Sequence, residues 1–173
     1  MRTLLLDPPP EVRSWLADRQ ARGQDLYDEV WEGTYHVAPA AHPSHGDVDD
    51  QISRLLGPYA DTAGLHGSGP LNVGEPDDYR VPDRAYLRER ARTTFVPSVA
   101  IVVEIVSPGD ESWAKLDFYF AHEALEVLLV DPRARTVQWL VRDDDGFTAA
   151  PGSALLDLDS DALDAMIDWP PVD

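Results

Sequence analysis

The segment from Val99 to Val106 constrains the fold of this chain more than any other. It reads VAIVVEIV, so it is β-branched and apolar on both faces except at Glu104. A strand of this composition lies in the middle of a sheet that is covered on both sides. Side chains alternate along a strand, so Glu104 shares a face with Val102 and opposes Ile105. The sequence therefore predicts a central strand that carries one acidic side chain into an apolar layer.

The patterns on either side of this strand predict interleaved helices and strands. Such an order is typical of an α/β (α+β) chain built around one mixed sheet flanked by helices. We expect a single domain over residues 1–173, with its core at about 24–142. The predicted elements begin with an N-terminal helix at 10–22, strands at Asp25–Trp31 and Thr34–Ala38, a helix that starts with a capping box at Ser44, and short strands between Leu65 and Leu87. The central strand follows, and after it a helix at Glu111–His122 capped by Gly109 or Asp110 and a strand at Glu126–Val130. The C-terminal part at 136–167 consists of the hairpin Thr136–Arg142 and Phe147–Ala150 and a short helix at Asp161–Met166.

The composition places the chain among globular proteins and excludes several kinds of site. Of its 173 residues, 43% are hydrophobic and 27% are charged, which is enough to bury a core. Cysteine is absent, which excludes a disulfide framework, a thiolate zinc site and a cysteine nucleophile. No apolar stretch approaches the ~20 residues that span a bilayer, and the N-terminal residues do not resemble a signal peptide. We therefore expect a cytoplasmic protein with no membrane partner.

The charge balance is strongly acidic. Asp and Glu number 32 against 14 for Lys and Arg, which gives a formal net charge of −18. Most of such a surface repels nucleic acids and anionic membranes. The basic residues are almost all arginines, and Lys115 is the single lysine.

Glu104 needs an explanation. An ionised carboxylate in an apolar strand is costly unless it is paired or binds a metal. From this residue alone two interpretations stay open. The carboxylate can emerge into solvent or pair with an arginine at the end of the strand, or it can belong to a functional site.

Two further residues can reach the same space as Glu104. Asp83 follows a short strand and Pro82, so its side chain can project from the end of a sheet. Lys115 falls one turn into the predicted helix, whose first turns lie back toward the end of the preceding strand. Arginine is always protonated, whereas the pKa of a lysine can shift, so chemistry can require a lysine at one position. A single lysine can also arise by chance.

These residues in this order resemble the signature of the PD-(D/E)xK nuclease superfamily, as Pro82-Asp83, Glu104 and Lys115. The standard motif has its lysine two residues after the second acid, where this chain has Val106, so the lysine would have moved to the next helix. That variant resembles the Uma-two family of restriction-endonuclease-like proteins. The resemblance extends through the segments Tyr27–Gly33, Ala38-Pro39, His45, Arg80–Asp83, Val103–Pro108, Lys115–Tyr119 and Val127–Pro132.

The resemblance implies a restriction-endonuclease-like core with a site for Mg²⁺ or Mn²⁺. Asp83 and Glu104 would bind the metal together with the backbone carbonyl of Ile105. Lys115 would orient or deprotonate the attacking water, with a pKa lowered by the bound metal, and Glu29 would be a further metal or water ligand. Mg²⁺ prefers hard oxygen ligands and keeps several waters, so two carboxylates suffice. DNA is the implied substrate and a homodimer a possible form.

Three weaker signals have two interpretations each. His45 can line the cleft or hydrogen-bond near a helix end, and no two histidines have the helical spacing of a zinc pair. Tyr119 can pack in the core or place its hydroxyl in the cleft. The arginine-rich segment Arg80–Arg92 can be a solvated loop or a rim that guides phosphates.

Three functions are consistent with these residues. The first is a metal-dependent endonuclease that hydrolyses DNA, with Glu29, Asp83, Glu104 and Lys115 as its site. The net charge of −18 favours a second, a catalytically silent domain of the same fold that serves as a binding or regulatory module. The third is a hydrolase of small phosphodiesters, which would use the same metal chemistry without a basic surface.

Overall fold

A computed structural model of the chain describes residues 3–5, 8–38, 41–107, 109 and 111–171. Pro39, Pro108 and Asp110, which the sequence patterns include, lie outside these ranges. The helices are α1 (Pro10–Ala21), α2 (Pro43–Thr62), α3 (Leu116–Ala121) and α4 (Ser160–Met166), and a 3₁₀ turn at Ser112–Lys115 leads into α3. The strands are β1 (Thr3–Leu5), β2 (Glu29–Trp31), β3 (Thr34–Val37), β4 (His66–Ser68), β5 (Asn72–Glu75), β6 (Asp78–Arg80), β7 (Arg84–Leu87), β8 (Phe95–Val96), β9 (Ile101–Ile105), β10 (Glu126–Asp131), β11 (Thr136–Arg142), β12 (Phe147–Ala150), β13 (Gly152–Ser153) and β14 (Leu158–Asp159).

The described strands form two mixed six-stranded sheets rather than the one predicted sheet. The first has the order β1-β3-β2-β6-β5-β8, and the second has the order β12-β11-β10-β9-β7-β4, beside a small β13-β14 pair. The prediction of one sheet was wrong because β2 pairs with β3 and β6, and neither β2 nor β3 pairs with the central strand. The mixed α+β class is confirmed.

Strand β9 lies inside the second sheet and is fully buried, as its sequence predicts. It runs parallel to β10 and antiparallel to β7. Ile101, Val103 and Ile105 pack on the side of α2 and α4. Val102 packs on the other side, against Tyr119 of α3. Covering both faces with apolar side chains explains why this strand tolerates only one acid.

Several predicted boundaries were wrong for local reasons. The strand expected from Asp25 begins at Glu29, because the turn before it holds Asp28 against the guanidinium of Arg19. The helix expected at Glu111–His122 splits into the 3₁₀ turn and the short α3. The hairpin of β11 and β12 matches its predicted bounds.

Helix α2 begins differently from the predicted capping box. Its N-cap residue is His42, whose ring accepts a hydrogen bond from the backbone N–H of Ser44. The helix continues past Gly57 and Pro58 to Thr62. Within the described ranges, no helix is long and apolar enough to cross a membrane.

Candidate active site

The carboxylate of Glu104 lies near the C-terminal end of β9 and meets the ammonium of Lys115. Nζ of Lys115 is 2.9 Å from Oε1 and 3.1 Å from Oε2 of Glu104. The 3₁₀ turn ends at Lys115 and α3 continues from it, which places Tyr119 one turn further along. The Tyr119 hydroxyl donates to Oε1 of Glu104. All three side chains are buried, so this is an ion pair held inside the fold.

Glu29, on β2 of the first sheet, is the second acid at Lys115. Its Oε1 is 2.9 Å from Nζ of Lys115 and accepts a hydrogen bond from the backbone N–H of Val81. Its Oε2 accepts from the indole N–H of Trp31 at 2.8 Å. The lysine therefore bridges carboxylates that come from the two sheets.

Asp83 lies directly before β7, at the same end of the second sheet as Glu104. Its Oδ2 accepts a hydrogen bond of 2.7 Å from the backbone N–H of Ile105, the residue after Glu104. Nε2 of His45, in the first turn of α2, is 3.1 Å from the same oxygen. The side chains of both Asp83 and His45 are only slightly exposed to solvent.

The electrostatics of this cluster follow from burial and from an excess of acids. Burial raises the pKa of Glu104 to about 8 against the opposing charge of Lys115, and Asp83 and Glu29 raise it further. Burial also works against the charge of Lys115, but the carboxylates of Glu104 and Glu29 outweigh it and hold its pKa above the ordinary value. Burial, reinforced by Glu104, raises the pKa of Tyr119, so its hydroxyl remains a donor.

Comparison with known proteins identifies the family of this chain. The model of the Uma2 family, described as "Putative restriction endonuclease", matches residues 13–163. The chain belongs to the Uma2 family. This is the Uma-two family that the sequence motifs resemble, so that resemblance is confirmed. No curated protein matches the chain.

A solved structure shares the fold. It is the crystal structure of a "putative nuclease belonging to DUF820" from Anabaena variabilis ATCC 29413. The alignment has a TM-score of 0.64 and 15% sequence identity, and it covers 80% of this chain and 90% of that one. At this identity the likeness concerns the fold.

The donors of the cluster fit a hard divalent cation, although they are not gathered around one point. In the described part of the chain, no group of three or more His, Asp or Glu side chains is already close enough to hold a metal ion. Asp83 and Glu104 nevertheless present carboxylate oxygens from neighbouring strands, and Mg²⁺ takes one or two protein carboxylates beside water. Three acids and one lysine in this cluster leave negative charge that a dication would balance.

The structure brings the predicted site residues to one end of the second sheet. Glu29 and Glu104 contact Lys115 directly, and Asp83 joins them through the backbone of Ile105. Sequence reasoning gave Tyr119 mainly a packing role, whereas its hydroxyl contacts Glu104. Its spacing four residues after Lys115 was the available signal.

The indole of Trp31 was missed as a partner of the site. Trp31 lies two residues after Glu29, and residues at this spacing share one face of a strand. Its ring also stacks on His36 at 4.3 Å and lies beneath the guanidinium of Arg80 at 4.3 Å. The period of two along β2 was the signal that could have indicated this contact.

The arginine-rich segment does not form a rim at the cleft. Arg80 is buried, pairs with Asp78 and bonds to the carbonyl of Val30. Arg84 pairs with Asp49 of α2. The three remaining arginines of the segment follow β7 and therefore lie at the end of the sheet opposite Asp83.

Proposed function

We propose that this chain is a metal-dependent endonuclease that hydrolyses phosphodiester bonds of DNA. Membership of a family described as restriction endonucleases supports nuclease activity in general. The observation that carries the finer proposal is the buried pair of Glu104 and Lys115 beside Asp83 at the end of β9. A structural core would be expected to avoid a cluster of three acids with a single lysine, because each buried charge is costly to desolvate.

Asp83, Glu104 and the backbone carbonyl of Ile105 would hold Mg²⁺ or Mn²⁺. When bound, such an ion stabilises charge on the scissile phosphate and lowers the pKa of a bound water. The hydrogen bond from the N–H of Ile105 to Asp83 keeps this carboxylate beside the end of β9. His45 contacts the same oxygen, which supports a role in orienting Asp83.

Lys115 would orient the attacking water and stabilise negative charge on the phosphate. Its pKa is held above the ordinary value while it bridges Glu29 and Glu104, so the metal-free lysine is a proton donor and not a base. Glu29 is bonded to Lys115, to the backbone of Val81 and to Trp31. These contacts favour Glu29 as a positioning residue for Lys115 over the role of a direct metal ligand.

A cleavage assay tests the proposal. Supercoiled plasmid and single-stranded DNA are incubated with Mn²⁺ or Mg²⁺ and the wild type, Asp83→Asn, or Lys115→Met. A matched control is Asp61→Asn, which removes an exposed acid near the other end of α2. We expect the wild type and the control to cleave and both site variants to lose at least a hundredfold in rate, which is about 2.7 kcal/mol of transition-state stabilisation. Cleavage that persists in Asp83→Asn would refute this metal site.

A silent module of the same fold is the second candidate. Two observations favour it: Lys115 already pairs with the carboxylates of Glu29 and Glu104, and the chain has a formal net charge of −18. Calorimetry separates the two functions. A silent module binds neither Mn²⁺ nor Mg²⁺ at millimolar concentration, whereas the proposed nuclease binds metal with an affinity that Asp83→Asn lowers.

A further inference from the structure

A groove of about 880 Å³ lies at the end of the second sheet opposite the candidate active site. Val99 and Ala100 line it just before β9, and Leu125 lines it just before β10. Asp83 and Glu104 lie at the other ends of β7 and β9. From Ala100 to Glu104 the strand advances by about 13 Å at ~3.3 Å per residue, which sets the scale of the separation between groove and site.

Three arginines of the loop after β7 line this groove. Arg88, Arg90 and Arg92 are exposed, and none of their side chains makes a hydrogen bond or an ion pair within the part of the chain that the structure describes. By contrast, the guanidiniums of Arg80 and Arg84 pair with aspartates. In a chain with 32 acidic residues, three neighbouring arginine side chains without a partner are available to bind an external anion.

The rest of the groove suits the same ligand. Arg142 also lines it, but its guanidinium already donates to the carbonyl of Phe120, so it forms part of the wall. Glu89 and Glu123 complete the charged lining, so four arginines stand against two glutamates and the groove carries +2. The remainder of the chain then carries −20, which leaves this groove as a positive region on an acidic molecule.

We propose that this groove binds the phosphodiester backbone of a nucleic-acid strand at a distance from the bond that is cleaved. The planar fork of an arginine matches two phosphate oxygens, and backbone contacts position a strand without reading its sequence. An acidic surface repels the substrate elsewhere, so unpaired arginines determine where it is held. The inference rests on the proposed function in taking a nucleic acid as the ligand.

The separation sets a minimum length for a substrate that occupies both places. In a duplex each strand advances ~3.4 Å per phosphate along the helix axis, so a gap of about 13 Å corresponds to about four nucleotides of duplex DNA. A small phosphodiester such as bis(p-nitrophenyl) phosphate reaches only the candidate active site. Removing the charges of the groove arginines should therefore weaken the binding of polynucleotides and leave the rate of hydrolysis of the small substrate unchanged.

The test measures binding in EDTA, so that affinity is separated from cleavage. Fluorescence anisotropy with labelled 20-nucleotide single-stranded and duplex DNA compares the wild type with Arg88→Gln/Arg90→Gln. The control, Arg22→Gln/Arg54→Gln, removes the same charge from two exposed arginines outside the groove. We expect the groove variant to lose about tenfold in affinity near 100 mM salt, and the slope of log K against log salt to fall by about 2 for duplex DNA.

Several results would overturn the inference. These are no DNA binding by the wild type, equal losses in both double variants, or no loss in the groove variant. A loss of dimer in the groove variant with unchanged DNA affinity would also overturn it and assign the groove to the acidic surface of a second copy. If the wild type cleaves DNA with metal but the groove arginines do not contribute to DNA affinity, this inference alone is refuted. Groove-dependent binding without metal-dependent cleavage refutes the proposed function alone.

Discussion

Replacing Lys115 with methionine is expected to destabilise the metal-free protein in a way that depends on pH. Methionine keeps most of the length and apolar volume of the side chain but leaves Glu29 and Glu104 without their cation. Removing one partner of a buried ion pair costs about 3–5 kcal/mol, because the remaining charge is not compensated. Glu104 can relieve part of this cost by protonation, since its pKa is already raised to about 8 with the lysine present.

The sign of the pH dependence follows from that pKa. A carboxyl whose pKa is higher in the folded than in the unfolded protein destabilises the fold as it ionises. In Lys115→Met the pKa of Glu104 rises further. Wild type and variant therefore lose stability in parallel between about pH 4.5 and 8, and the deficit of the variant grows only as pH rises through and above about 8, where the wild-type carboxyl is ionised and that of the variant is not. We expect a loss of about 3 kcal/mol at pH 8.5 and a loss smaller by up to about 1 kcal/mol at pH 6.

Urea unfolding followed by circular dichroism, with EDTA present, measures these differences. For a chain of this size a loss of about 3 kcal/mol corresponds to a fall in Tm of roughly 6–12 °C. The double variant Glu104→Gln/Lys115→Met should recover part of the loss at pH 8.5, because it removes the unpaired charge. The reasoning is refuted when Lys115→Met stays within about 1 kcal/mol of the wild type at pH 8.5, or when the double variant unfolds no later than the single one.

Three other perturbations have expected outcomes. Tyr119→Phe removes the hydroxyl that donates to Glu104, so we expect a loss of about 1–3 kcal/mol in urea unfolding, and an unchanged midpoint would contradict this contact. Mg²⁺ should bind more tightly at pH 8.5 than at pH 6.5 in calorimetry, because the ligand form of Glu104 is ionised; affinity independent of pH would count against it. Gly74→Ala should cost more than about 2 kcal/mol, since Gly74 has a φ of 116° and a Cβ would lie 2.4 Å from the carbonyl oxygen of Asp78. The control Gly57→Ala meets open space inside α2 and should gain up to about 1 kcal/mol.

The elements with a strong local pattern could be predicted from the sequence. The apolar run at β9 and the alternation in β11 and β12 gave a buried central strand and a hairpin, because burial and turn chemistry are encoded within those segments. The division into two sheets was not predictable in this way. Strands of three or four residues such as β2 and β6 pair through contacts 49 residues apart, as between Val30 and Tyr79, and no local pattern records them.

The candidate site was predictable as a set of residues and not as a set of contacts. Glu104 stood out because a charge in a buried strand needs a partner, and Lys115 stood out as the only lysine. The sequence did not indicate that Glu29 would be tied to Trp31 and the backbone of Val81, since this depends on how the first sheet meets the second. It also left open whether the arginine-rich segment is a solvated loop or a rim at the cleft, because the sequence does not show that β7 carries the second half of the segment to the opposite end of the sheet.

Metal-dependent hydrolysis by Asp83 variants tests the central claim most directly. Single-turnover cleavage of a labelled DNA duplex is measured with Mn²⁺ for the wild type, Asp83→Asn and the exposed control Asp61→Asn, with folding of each verified by its Tm. The account predicts cleavage by the wild type and the control, none in EDTA, and at least a hundredfold loss in folded Asp83→Asn. Equal rates in Asp83→Asn and the wild type, or no Mn²⁺-dependent cleavage by the wild type, would contradict it.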